Sequence, residues 1–164
     1  MSHSRIFKLQ GNLHKDFERI REEDYYDNGF LDSVGDYVDE NTDVMDDYEW
    51  LSEGTMAELW AITFDGKIND GDETYPLAYL EIDLPKMKKF YEDKLNEYVK
   101  IVAADPKKAT DWKTERIIKG DFSGFYFDID GCYYTDMEFV KYCCDYLNGQ
   151  TAKFRLEGTL DYHI

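Results

Sequence analysis

From Glu22 to Gly66 the chain runs 45 residues without a Lys or Arg while carrying fifteen Asp or Glu. A block of like charge with little apolar content stays extended and solvated. This one also holds Tyr25, Tyr26, Phe30, Tyr37, Tyr48, Trp50, Trp60 and Phe64. That much aromatic surface predicts a packed segment whose carboxylates face water. Any fold of the chain must leave those acids outside, with no base inside the run to offset them.

The charge is lopsided. Residues 1–85 hold 22 acids and 6 bases, a net of −16, and residues 86–164 hold 14 acids and 13 bases, a net of −1, which sum to −17. Such a field repels nucleic acid and anionic membrane and draws in basic proteins. Direct nucleic-acid binding and membrane binding are therefore not expected. At 164 residues and 43% hydrophobic, the chain can bury a core without metal or disulfide, so one domain over 1–164 is expected. Cys132, Cys143 and Cys144 are odd in number, and the adjacent pair cannot bridge readily, which fits a reducing cytoplasm. No leader-like or 18-residue apolar stretch is found.

Periodicity predicts an α+β fold with a mainly antiparallel sheet and about four to five helices. Arg5 to Gln10 reads as a strand of ambiguous register, and Leu13, Phe17 and Ile20 recur at helical spacing before the Asp27-Asn28-Gly29 turn. Phe30, Leu31, Val34, Tyr37 and Val38 match one helix face, and Val44, Tyr48 and Leu51 repeat the spacing; together they predict an acidic helical region. Leu59 to Phe64 and Leu77 to Ile82 read as strands around a loop at 65–73. Pro85, capped by Asp83 or Leu84, opens a long helix with Met87, Tyr91, Leu95, Tyr98 and Val102 on one stripe, ending before Asp105-Pro106. Residues 125–129 and 132–134 flank Asp130-Gly131 as a hairpin. Thr135 and Glu138 form a capping box for a helix bearing Val140, Cys143, Cys144 and Leu147, and Ala152, Phe154 and Leu156 share one side of a last strand.

Phe-Asp-Ile-Asp-Gly at 127–131 resembles the first motif of the haloacid dehalogenase phosphatases. The resemblance implies Asp128 as nucleophile and Asp130 as acid/base, with magnesium between them. The motif's following Thr is Cys132 here, and only 34 residues follow Asp130, too few for the further parallel strands of that fold. A hairpin turn accounts for the same letters, and that reading is adopted. The acidic loop 65–73 misses calcium-loop spacing, since Gly71 as position 6 puts Gly66 at position 1. His3, His14 and His163 lack zinc spacing. Neither metal nor cofactor is expected.

Between Asp32 and Glu53 a solvated face would ordinarily mix signs, and this one does not. Asp32/Asp36, Asp36/Glu40, Asp39/Asp43 and Asp43/Asp47 fall at i, i+4, a line of carboxylates that mimics successive phosphates. The expected function is non-enzymatic capture of a basic partner, such as a nuclease or DNA-binding protein. Asp32, Asp36, Asp39, Glu40, Asp43, Asp46, Asp47 and Glu49 would carry it, with Tyr48 and Trp50 adding contact area. The alternatives are a metal-dependent phosphohydrolase using Asp128 and Asp130, and an assembly protein whose acidic half meets its basic stretch, Lys86 to Lys119, in another copy.

Overall fold

The computed structural model describes residues 3–35, 37–40, 68–69, 79–120 and 124–163. Its framework is one mixed sheet of seven strands: β1 (His3–Gln10), β2 (Tyr37–Glu40), β3 (Ile68–Asn69), β4 (Tyr79–Asp83), β5 (Tyr126–Ile129), β6 (Cys132–Thr135) and β7 (Thr151–His163). The strand order is β3-β4-β7-β1-β5-β6, and β2 also pairs with β7. Among the described strands β1 and β5 run parallel and the other pairings are antiparallel. Among the described residues four α-helices accompany the sheet: α1 (Phe30–Ser33), α2 (Leu84–Ala104), α3 (Trp112–Lys119) and α4 (Asp136–Tyr146). The α+β fold expected from periodicity is the one observed.

Alternation on the central strands sends neighbouring side chains to opposite faces, and both faces are covered. On one face Phe7, Leu9, Phe125, Phe127, Ile129, Phe154 and Leu156 meet Leu84 and Met87 of α2 and Met137, Phe139, Val140 and Cys143 of α4. Helix α2 starts where expected: the Asp83 carboxylate accepts from the Lys86 amide at 3.1 Å, and Pro85 occupies the first turn. It is 21 residues long, yet its fully buried residues, Leu84 and Met87, both lie in its first turn. Beyond that it packs on α3 and the 3-10 turn Pro106–Thr110. Helix α4 opens at the expected Thr135, whose Oγ1 accepts from the Glu138 amide at 3.2 Å.

The opposite face holds Ile6, Ile20, Tyr25, Phe30, Val38, Leu160 and Tyr162. Strand β7 serves both cores by changing parity midway. Leu9 is paired with Leu156 but Ile6 with Leu160, so four steps on β7 match three on β1. The extra residue is a β-bulge at Gly158, whose φ of +112° suits glycine. Phe154 and Leu156 therefore face the helices, whereas Leu160 and Tyr162, still at even positions, face the other way.

Three local expectations are corrected. Residues 13–20 do not form a helix; their carbonyls are claimed by side chains from the sheet. Arg155 donates to the carbonyls of Lys15 and Asp16, both at 2.9 Å, and Lys8 to that of Glu18 at 2.8 Å. The pattern across 30–38 stops after the single turn of α1, and Tyr37–Glu40 forms β2 beside Leu160–His163. Gly35 interrupts the helical pattern, and a Cβ there would lie 2.8 Å from the His163 carbonyl oxygen, so the backbone passes too closely for any other residue. Ile68–Asn69, inside the expected loop, is paired with β4. The strand expected at 59–64 and the helix expected at 44–51 lie outside the described residues.

Candidate functional site

The acidic run begins as a folded layer over the second core. A 3-10 turn, Glu22–Tyr25, buries Tyr25 and leaves Glu23 and Asp24 exposed. Asn28 accepts from the Phe30 amide at 3.0 Å and starts α1, which buries Phe30 and exposes Asp32. Phe30 is the hub, its ring meeting Tyr25, Tyr126, Tyr133 and Tyr162 edge to face at 5.1–5.7 Å. Such pairs add about 0.5–1.5 kcal/mol each beyond burial. Aromatic residues thus anchor the segment while Glu23, Asp24, Asp27 and Asp32 point to solvent. Arg21, just before the run, reaches Asp24 at 3.1 Å.

Of the residues expected to bind a partner, Asp32 lies on α1, and Asp39 and Glu40 lie in β2, opposite Asp161 and Leu160. Residues 32 and 40 are therefore not on one helix, and the spacing argument fails for Asp32/Asp36 and Asp36/Glu40. Asp36, Asp43, Asp46, Asp47, Tyr48, Glu49 and Trp50 lie outside the described residues.

A cleft of about 620 Å³ opens beside this layer, bordered by Lys8, Glu18, Asp24, Asp128, Asp130 and Glu157 among others. Asp128 projects from β5 onto the face carrying Tyr25 and is 5% exposed. Its carboxylate accepts from the Tyr25 hydroxyl and, at 3.0 Å, from the Gly131 amide. Burial holds the Asp128 carboxyl above its ordinary range, against the opposing pull of those hydrogen bonds and of Lys8. The Tyr25 hydroxyl is likewise pushed far up, by burial first and the Asp128 charge second. Asp130 is exposed in the expected turn, at φ 52° and followed by Gly131 at 82°, a backbone suited to a two-residue hairpin.

Sequence reasoning missed the buried ionic group beneath residues 15–20. Glu157, 1% exposed, accepts from the Glu18 amide at 2.6 Å and from Arg155 at 3.2 Å, with Lys8 4.0 Å away. Alternation marks Lys8, Arg155 and Glu157 as facing away from the helices, which normally means water. No signal in the sequence says that residues 15–20 cover them. Among the described residues no group of three His, Cys, Asp or Glu is placed to hold a metal, and no helix is long and apolar enough to cross a membrane.

No known protein family, curated protein or solved structure matches this chain.

Proposed function

We propose that this chain is a non-enzymatic binding protein that captures a basic partner, of the kind that handles nucleic acid, on its acidic amino-terminal half. The observation that carries this reading is the folded acidic layer: buried Tyr25 and Phe30 anchor a segment that turns Glu23, Asp24, Asp27 and Asp32 outward in a stretch without bases. Ordered carboxylates of one sign raise the local concentration of a cationic partner and speed its arrival. The engagement of Asp128 by Tyr25 and Gly131 favours binding over hydrolysis, because a nucleophile needs a free oxygen facing its substrate.

The test is association with a basic nuclease across a salt series, comparing wild type with a variant in which Asp32, Asp36, Asp39 and Asp43 are Asn. Wild type should bind with an on-rate that falls as salt rises, and the variant should bind more weakly with a flatter salt response. Equal affinity and equal salt dependence in the two proteins would overturn the reading.

A further inference from the structure

At the β6 end of the sheet, far along the strand order from β4, three tyrosine rings form a ladder. Tyr134 of β6 lies 5.4 Å from Tyr142 of α4, and Tyr142 lies 5.3 Å from Tyr146, the planes tilted by about 40° in each step. Tyr146 is 72% exposed, an unusual state for a ring that could have packed inward. Beside the ladder is a hollow of about 260 Å³ bordered by the three tyrosines with Glu138, Lys141 and Asp145. Lys141 reaches Asp145 at 2.5 Å, but both side chains remain about half exposed, and such a pair contributes only about 0–1 kcal/mol.

A row of tilted aromatic rings with an exposed end offers a ring face to two sorts of guest, a nucleobase or a planar cation. The charge at the rim decides between them. The rim itself carries Glu138 and Asp145 against Lys141, so it is net negative and disfavours the phosphates that accompany bases. A guanidinium fits all of these features: it is planar, it stacks on tyrosine, and it meets a carboxylate with two parallel hydrogen bonds.

We propose that the hollow between β6 and α4 binds an arginine side chain of the partner, the guanidinium stacking on Tyr142 and Tyr146 and taking Asp145 from Lys141. Among the described residues β6 is the last strand in the sheet order, so an extended partner segment lying along it would direct alternate side chains at the ladder. This inference rests on the capture reading above and adds where, and through which residue type, the partner is gripped.

The probe is a short peptide with arginine at alternate positions, titrated against the full chain beside a lysine peptide of the same charge. The arginine peptide should bind more tightly than the lysine peptide. Tyr146→Ala should weaken the arginine peptide by roughly three- to thirtyfold, the range expected of a stacked cation, and Asp145→Asn should also weaken it. Lys141→Ala should tighten it, because its competitor for Asp145 is gone; a purely structural role for Lys141 would not give that sign. Circular dichroism of each variant separates binding loss from unfolding, and Tyr146, being largely exposed, can be removed without opening the core. Equal binding of the two peptides, or arginine binding unchanged by Tyr146→Ala, would overturn the pocket. A dimer that Tyr146→Ala dissociates would overturn it as well, by assigning the ladder to a second copy. If Asn replacements in the acidic run weaken the basic nuclease while the ladder variants do not, the pocket fails and the capture reading stands. If neither set has an effect, both fail.

Discussion

The Tyr25 hydroxyl and the Asp128 carboxylate bind each other from opposite ends of the chain, and their pairing ties the acidic layer to the sheet. Removing the hydroxyl with Tyr25→Phe leaves a buried carboxylate held by one amide, and the cost should be about 1–3 kcal/mol in denaturant unfolding. A loss under half a kilocalorie, on the order of surface substitutions, would mean water replaces the phenol there. Asp128 also makes a pH prediction. Burial raises its folded carboxyl above the ordinary value of 3.8, so the folded chain holds that proton more tightly than the unfolded chain does. The resulting stabilisation is fully present below the unfolded pKa and is lost as pH rises through the folded one. Unfolding of wild type and Asp128→Asn between about pH 3 and pH 7 should therefore show the wild-type advantage shrinking with rising pH, starting near the unfolded carboxyl's midpoint of about 4. An advantage that grows over that interval would show that Tyr25, Gly131 and Lys8 outweigh burial.

Among the elements, β7 makes a strict demand on a single residue. Gly158 sits at φ +112°, and a Cβ there would lie 2.8 Å from Ile20 Cγ2. Gly158→Ala should cost about 1–3 kcal/mol from backbone strain alone, more if Ile20 must move. Thermal melts that place the variant level with wild type would refute the bulge as drawn. The same strand shows what was legible. Elements that carry their own punctuation were readable: Asp83 and Pro85 opening α2, Thr135 with Glu138 opening α4, Asp130-Gly131 turning β5 into β6. Elements decided by distant partners were not. Leu13, Phe17 and Ile20 have helical spacing, but Arg155 and Lys8, from strands at both ends of the chain, take the carbonyls a helix would need. Phe30 to Val38 likewise fits a helix until the free edge of Leu160–His163 recruits Tyr37–Glu40. Of the candidate site, the outward turn of Asp32 and the burial of its aromatic neighbours were readable from pattern. The tyrosine ladder was not, because Tyr134 and the α4 tyrosines are neighbours only once β6 and α4 have packed.

For the whole molecule, a net charge of −17 opposes compaction. Raising salt from about 0.01 M to about 0.15 M shortens the screening length from roughly 30 Å to roughly 8 Å, so the melting temperature should climb over that range. A flat or falling response would indicate that ion pairs such as Lys89–Asp93 and Lys141–Asp145 matter more than repulsion. The two cores are linked more tightly than their separate memberships suggest, because β1 and β7 pass through both. In β7 the bulge works like a phase shift in a periodic signal: every side chain after Gly158 is read half a period late. Straightening the bulge with every residue kept would return the strand to a single phase, turning Leu160 and Tyr162 toward the helices and Thr159 and Asp161 toward Phe30. The chain should accordingly tolerate deletion of Gly158 better than insertion of one residue beside it, since the deletion leaves every later side chain on its present face and the insertion inverts all that follow.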